Sequence, residues 1–231
     1  MGEMVQFQRP DGGGSAGGYL AEPAGGAAAA RGGVVVIHEW WGLRDDIKRV
    51  ADRIAGEGYR ALAVDLYGGK FADDADEAGR MMQSLDWGGA LADIRGALDH
   101  LKQSGGKAAV LGFCLGGALA IVAGVKAPEV DAVVCFYGIP PDEAVDPTDL
   151  TKPFIGHFAN IEDNWVTPER VDSFARKVAR SGVLNWIHRY DARHAFFNDA
   201  RPDVYDPEAA AQAWQKTLAF LERCVATERS T

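Results

Sequence analysis

The chain has 231 residues, of which 47% are hydrophobic and 25% are charged, a composition that is ordinary for a globular protein. This length suits one full core better than two independent domains, so we expect residues 1–231 to form a single domain. The formal net charge of −9 argues against a nucleic acid or an anionic membrane surface as partner. No apolar run approaches the roughly 18 residues that a membrane-spanning helix needs.

Short apolar runs alternate with amphipathic segments along the chain. Residues 4–8 and 18–21 predict an edge hairpin across the turn signal at 11–14, and the Ala/Gly-rich stretch 23–33 predicts a loop. The later elements are predicted in this order: strand 34–37, a helix from Ile47 to Gly56 or Gly58, strand 61–64, helices 76–85 and 89–102, strand 108–111, helix 118–124, strands 132–136 and 153–158, helix 169–180, strand 184–190 and helix 207–224. This alternation predicts an α/β fold with a mostly parallel, doubly wound sheet and helices on both faces.

The junction between strand 108–111 and the next helix reads Gly112-Phe113-Cys114-Leu115-Gly116. Strand, G-x-C-x-G and helix is the order of a nucleophile elbow, with cysteine in place of the usual serine. The turn is too sharp for side chains two residues before and after the nucleophile, which explains the flanking glycines. The backbone N–H of Leu115 would lie at a helix N-terminus and could donate to an oxyanion. A tight turn with a buried, unreactive cysteine would give the same motif. Residues elsewhere in the chain must therefore decide between a nucleophile elbow and a purely structural turn.

Two later loops carry the residues that a cysteine nucleophile needs. Asp163 follows strand 153–158, and His194 follows strand 184–190. The order Cys114, Asp163, His194 is the nucleophile–acid–base order of the α/β-hydrolase fold. In such sheets reactive residues collect at the carboxyl ends of the strands. Glu162 competes with Asp163 for the acid position; Asp65 also ends a strand but precedes the elbow.

The residue types predict acyl transfer through a thioester. Histidine can take the proton of the thiol, and a carboxylate on the other ring nitrogen fixes the tautomer of the histidine. Water is the expected acceptor. Transfer to another acceptor and a binding protein that lost turnover are the alternatives, although a receptor has no need of a complete triad.

The sequence resembles the dienelactone hydrolase (carboxymethylenebutenolidase) family from about Val34 to Leu221. The resemblance rests on the elbow and on three further motifs: His38-Glu39-Trp40-Trp41-Gly42-Leu43, Asp65-Leu66-Tyr67 and His194-Ala195-Phe196-Phe197-Asn198-Asp199. It implies an α/β-hydrolase that cleaves a small ester or lactone. It also implies that Glu39 contacts the Cys114 thiol and takes its proton when substrate binds, and that the backbone N–H of Trp40 joins Leu115 in the oxyanion hole.

The substrate contacts are predicted from aromatic residues near the loops and from one arginine. Aromatic side chains fit an apolar pocket wall, and we assign Trp41, Phe113, Tyr137 and Phe196 to it. The best-known members of the family grip a substrate carboxylate with one arginine before the helix that precedes the elbow strand and another just after the histidine. Here the first stretch offers only Arg80, and the second has no arginine. Arg193 and Arg201 are the alternatives as anion anchors.

The remaining sequence features indicate which cofactors and which cellular compartment to expect. Three widely spaced cysteines, Cys114, Cys135 and Cys224, suit reduced thiols better than a disulfide framework. The N-terminus lacks a basic segment followed by an apolar one, so no signal peptide is expected and the location is predicted to be cytoplasmic. No His/Cys/Asp cluster has metal-ligand spacing, so neither a metal nor another cofactor is expected. We expect a monomer or a small homo-oligomer.

Overall fold

The computed structural model describes residues 2–161 and 165–227. Its strands are β1 (Glu3–Gln8), β2 (Ser15–Ala21), β3 (Gly33–Ile37), β4 (Arg60–Asp65), β5 (Ala108–Phe113), β6 (Ala132–Phe136), β7 (Phe154–Ile161) and β8 (Asn185–Arg193). Its helices are α1 (Asp45–Gly56), α2 (Ala75–Ser84), α3 (Trp87–Lys102), α4 (Leu115–Lys126), α5 (Pro168–Ser181) and α6 (Pro207–Cys224). None of the described helices is long and apolar enough to cross a membrane.

The strands form one eight-stranded sheet in the order β1-β2-β4-β3-β5-β6-β7-β8. β2 is antiparallel to both β1 and β4, and every neighbouring pair from β4 across to β8 is parallel. The predicted edge hairpin and the mostly parallel sheet are therefore confirmed.

Alternation along the buried strands sends side chains to two separate cores. Val34 and Val36 of β3 join the core beneath α1 and α6, whereas Val35 and Ile37 join the core beneath α3, α4 and α5. Because successive side chains of a strand point to opposite faces, a strand covered by helices on both faces must be apolar throughout. The prediction of helices on both faces is confirmed.

The last two strands are longer than the sequence predicted. β7 continues to Ile161 and β8 to Arg193, across a register shift between Ala159 and Ile161. The added residues have polar side chains, and this is why the sequence predicted a loop there. The Asn160 side-chain amide donates to the carboxylate of Asp191 on the neighbouring strand at 3.4 Å. The longer β8 delivers residue 194 directly at the carboxyl edge of the sheet.

The strand order reverses beside β3, because β3 leads through α1 to β4 on one side while β5 lies on the other. Such a reversal opens a crevice at the carboxyl ends of the strands, where α/β proteins bind their ligands. The residues that follow β3, β5, β6 and β8 all meet at this edge.

The turn after β5 is closed by direct backbone contact. A Cβ on Gly112 would overlap the carbonyl oxygen of Gly116, and a Cβ on Gly116 would overlap the carbonyl oxygen of Ile37. Cys114, between the two glycines, has φ 53° and ψ −113° and immediately precedes α4. Because neither glycine has a side chain, the backbones of β5, α4 and β3 can come into direct contact at this point.

We expect Gly112→Ala to destabilise the fold by about 2 kcal/mol or more, because the new methyl group would overlap backbone that cannot yield. Gly79→Ala in α2 is the matched control, since nothing lies within 4 Å of a Cβ at that position. The free energy of unfolding of Gly79→Ala should be about 0.5–1 kcal/mol higher than that of wild type, because alanine favours a helix more than glycine does. Urea unfolding measures both changes, and a Gly112→Ala protein as stable as wild type would contradict the described turn.

Candidate active site

Cys114 is held at the head of α4 in a backbone conformation that side chains rarely adopt. Its N–H donates to the carbonyl oxygen of Phe136 at the end of β6, at 2.9 Å. Among the described residues only Cys114, Tyr137 and Ala195 combine a side chain with positive φ. All three line the same cavity. Strain of this kind persists only where the surrounding structure enforces it, and it concentrates at functional sites.

His194 lies against the thiol. Its Nε2 atom is 3.2 Å from Cys114 Sγ, and its ring packs against the Tyr137 ring with 5.0 Å between centroids. The histidine follows the last residue of β8 directly, so the long strand sets its position. The contact is short enough for a proton to pass between sulfur and nitrogen.

Glu39 is a buried carboxylate beside this pair, with 3% of its surface exposed. The Tyr137 hydroxyl donates to Oε1 at 3.1 Å, and the Asn198 amide donates to Oε2 at 2.8 Å. Burial raises the pKa of Glu39, and the hydrogen bond from Asn198 is the main opposing influence. No local sequence pattern indicates that Asn198 or Tyr137 contacts Glu39, because both contacts join residues far apart in the chain.

His38 anchors the backbone that carries Glu39. Its Nδ1 is 2.5 Å from the carbonyl oxygen of Glu39, and its Nε2 accepts from the backbone N–H of Leu66 at 3.3 Å. These partners assign the ring proton to Nδ1. Burial lowers the pKa of His38, which favours this neutral form. The His38 ring therefore ties the segment after β3 to the segment after β4.

Two backbone N–H groups are available near the thiol. None of the hydrogen bonds among the described residues uses the N–H of Leu115 or of Trp40. Leu115 opens α4, where the positive end of the helix dipole favours an anion. Both residues line the cavity at Cys114, as an oxyanion hole requires.

The cavity at Cys114, here called the front cavity, has a volume of about 390 Å³. Trp41 and Tyr137 line it, as the sequence predicted. Four of the chain's six tryptophans line it: Trp40, Trp41, Trp87 and Trp165. Its walls are thus largely aromatic and apolar.

Two predicted wall residues lie in the core instead. Phe113 is buried and stacks on Phe197 at 5.3 Å between ring centroids. Phe196 is buried against Tyr137 and Tyr190. Neither lines the front cavity. Neighbouring residues point in different directions at the end of a strand, so Phe113 cannot face the cavity that Cys114 faces.

Arg80 also lies away from the front cavity, exposed on α2. Met82 of the same helix lines the cavity, and residues two apart in a helix point in nearly opposite directions. Three other arginines line it: Arg170, Arg193 and Arg201. Arg201 forms an ion pair with Asp203 at 2.7 Å and lies over the Trp41 ring.

The carboxylate member of the predicted triad belongs to the segment after β7. Asp163 and its alternative Glu162 lie outside the described residues, so that assignment stays a prediction. Asp65, the other alternative, accepts from the backbone N–H groups of Tyr67 at 3.1 Å and Gly69 at 2.5 Å. These bonds engage Asp65 in the turn after β4.

The other two thiols are unpaired and sheltered. Cys135 donates to the carbonyl oxygen of Gly138 at 3.0 Å, and burial raises its pKa to about 12. Burial also raises the pKa of Cys224 in α6. Within residues 2–161 and 165–227, no group of three or more His, Cys, Asp or Glu side chains could hold a metal ion.

Comparison with known proteins decides the family. The model of the dienelactone hydrolase family matches residues 16–225. The chain belongs to the dienelactone hydrolase family. Protein usf of Aquifex pyrophilus is 38% identical over 80% of this chain and 85% of that protein. A candidate carboxymethylenebutenolidase of Aquifex aeolicus is 33% identical over the same shares of the two chains.

Solved structures agree on the architecture. A candidate dienelactone hydrolase from Klebsiella pneumoniae superposes with a TM-score of 0.84 at 24% identity, covering 96% of this chain and 99% of that one. The architecture is the α/β-hydrolase fold. Family and relatives together make this protein a carboxylic ester hydrolase of the carboxymethylenebutenolidase type.

We expect Glu39→Gln to gain stability relative to wild type as pH rises. Burial lifts the pKa of Glu39 above its ordinary value of 4.5, so the folded protein binds this proton more tightly than the unfolded chain. The unfolding free energy of wild type must then fall as pH rises from about 4.5 through the folded-state pKa, and the variant lacks this loss. Urea unfolding across this window measures the difference, with the exposed Glu3→Gln as control. A difference independent of pH would contradict the burial effect.

Proposed function

We propose that this dienelactone hydrolase cleaves a small ester or lactone with Cys114 as nucleophile and His194 and Asp163 as its triad partners. The observation that carries the proposal is the 3.2 Å contact between His194 Nε2 and Cys114 Sγ at the front cavity. A thiolate is the attacking species, and an imidazole in contact with the sulfur stabilises it once a base has taken the thiol proton.

In the acylation step, Sγ attacks the carbonyl carbon of the substrate, and the carbonyl π pair moves onto oxygen. The N–H groups of Leu115 and Trp40 stabilise this oxyanion, a term worth about 3–4 kcal/mol for a single donor in other enzymes. The carbon–oxygen bond to the leaving group then breaks. The leaving oxygen takes the proton that was removed from the thiol, and a thioester to Cys114 remains.

In the deacylation step, a water molecule attacks the thioester while His194 takes one of its protons. The carbon–sulfur bond breaks, the sulfur takes the proton from His194 and becomes a thiol again, and the acid leaves. An ester thus yields an acid and an alcohol, whereas a lactone yields one hydroxy acid. Asp163 would hold His194 in the tautomer that presents Nε2 to these steps.

Glu39 is proposed as the acceptor of the thiol proton when substrate binds. Its raised pKa makes it a stronger base than an exposed carboxylate. Tyr137 and Asn198 each occupy one oxygen, which leaves lone pairs for a proton. In the described conformation the thiol contacts His194, so the transfer to Glu39 belongs to the substrate-bound state.

The substrate is proposed to be small and largely apolar. A volume of about 390 Å³ falls in the lower part of the range for small-molecule sites. The tryptophan-rich wall favours apolar or conjugated groups, and an acidic substituent would meet Arg193 or Arg201 at the lining.

We further infer one domain over residues 1–231 and a reducing compartment such as the cytoplasm. The single sheet supports the first inference. The unpaired thiols support the second, because oxidising compartments favour disulfides.

Cys114→Ala should abolish hydrolysis of p-nitrophenyl acetate and of simple lactones while leaving the unfolding midpoint nearly unchanged, because the thiol acts chemically. Iodoacetamide followed by peptide mass spectrometry should label Cys114 ahead of the buried Cys135 and Cys224. Cys224→Ala is the matched control and should keep activity and its sensitivity to iodoacetamide. Activity that survived Cys114→Ala would overturn the assignment of the nucleophile.

Asp163→Asn should lower kcat by about 10²–10⁴, because an amide allows the wrong imidazole tautomer. Glu162→Gln is the adjacent control and should have a small effect. Steady-state kinetics on one ester substrate decides between the two. A larger loss in Glu162→Gln than in Asp163→Asn would move the acid by one residue.

A further inference from the structure

Glu39 faces a second cavity as well as the front cavity. This rear cavity, of about 350 Å³, lies between α1 and the turn after His194; its lining includes Asp46, Arg49, Asp52, Arg53, Asn198 and Asp199. Among the described residues, only Glu39 and Tyr137 line both cavities. Cys114 and His194 line the front cavity alone. The hydrogen-bonded pair of Glu39 and Tyr137 is therefore the wall between the two.

Most charged groups of the rear cavity are already engaged with other partners. Arg49 forms an ion pair with Asp199 at 2.6 Å. Asp52 accepts from the Tyr19 hydroxyl at 3.0 Å. The guanidinium of Arg53 lies 4.2 Å from the centroid of the Trp214 ring. These contacts account for four of the five charged side chains contributed by α1 and the turn.

Asp46 is the fifth, and it differs from the others. It is half-buried in the first turn of α1 and forms no ion pair within residues 2–161 and 165–227. The preceding residue, Asp45, is exposed and pairs with Lys48 at 3.1 Å. Two carboxylates, Asp46 and Glu39, thus face one partly apolar cavity. Because Glu39 is almost fully buried, a like charge at the same cavity repels it more strongly than it would in bulk water.

The electrostatics of Glu39 are consistent with this geometry. Burial is the main cause of its raised pKa; Asp46 raises the pKa further, while Asn198, His194 and Tyr137 oppose the rise. From the front cavity Glu39 is faced by His194, Cys114 and Tyr137, and from the rear by the charged groups named above. Burial likewise raises the pKa of Asp46, opposed first by hydrogen bonds from the backbone N–H groups of Ile47 and of Asp46 itself and then by the charges of Arg49 and Arg44.

We propose that Asp46 is a positioning residue whose negative charge, acting across the rear cavity, sets the pH at which Glu39 can accept the thiol proton. This inference rests on the proposed role of Glu39 as that acceptor. The charge of Asp46 makes Glu39 a stronger base. Its removal makes Glu39 ionise at lower pH and accept a proton less readily.

The test compares Asp46→Asn with Asp45→Asn, a matched change in the same helical turn that does not face the cavity. Titration of ¹³C-labelled glutamate side chains by NMR follows Glu39, identified by the signal lost in Glu39→Gln. Asp46→Asn should shift this titration to lower pH by roughly 0.5 unit or more. Asp46→Glu should restore it, and Asp45→Asn should leave it in place.

The pH profile of kcat/KM provides an independent readout. Glu39→Gln identifies the part of the acid limb that comes from Glu39. In Asp46→Asn this part should move to lower pH by the same roughly 0.5 unit. At pH values below the limb, kcat/KM of Asp46→Asn should therefore be roughly threefold higher than that of wild type. Near neutral pH it should be slower, because Glu39 is a weaker base. Damage to the fold would not produce a gain at low pH.

The outcomes separate the inference from the proposed function. An acid limb that persists unchanged in Glu39→Gln would show that Glu39 is not the proton acceptor. If Glu39→Gln removes that limb but Asp46→Asn moves neither the NMR titration nor the limb, the inference about Asp46 alone is overturned. An equal shift in Asp45→Asn would overturn it too, because the effect would then come from the helix terminus.

Discussion

The contact between two glycines sets the geometry of the whole site. Gly112 touches the backbone of Gly116, which in turn touches the end of β3. Cys114 is thereby forced above the sheet, with its N–H tied to Phe136. The next residue, Tyr137, is tied by its own N–H to the carbonyl oxygen of His157 at 2.8 Å. Cys114 and Tyr137 are thus both held by hydrogen bonds to the ends of neighbouring parallel strands.

The buried carboxylate is the second determinant, and neutral groups hold it. The stretch just after the histidine has no arginine, and the residue of that stretch that contacts Glu39 is Asn198. An amide satisfies one oxygen of Glu39 without supplying a positive charge. A guanidinium there would compensate the charge and lower the proton affinity of Glu39. The proton affinity of Glu39 therefore depends on burial and on more distant charges.

Local patterns predicted most of the fold and the turn that carries Cys114. A buried strand, an amphipathic helix or a G-x-C-x-G turn is encoded within about a dozen residues, so β3, α1 and the elbow could be read directly. The direction of each side chain could not be predicted in this way, because it depends on packing. Phe113 and Phe196 are buried in the core, and Arg80 is exposed to solvent. The contact of Asn198 with Glu39 joins residues 159 apart in sequence, and nothing local announces it.

Positive φ at Cys114, Tyr137 and Ala195 bears on how this enzyme could be made more robust. Each such residue costs of order 1–3 kcal/mol relative to relaxed backbone. Glycine would relieve that cost, but at 114 or 137 it would delete the thiol or the hydroxyl that faces Glu39. Ala195 contributes only a methyl group. Under the proposed mechanism, selection for heat resistance could therefore replace Ala195 with glycine, whereas the same change at Cys114 or Tyr137 would remove a group that the reaction uses.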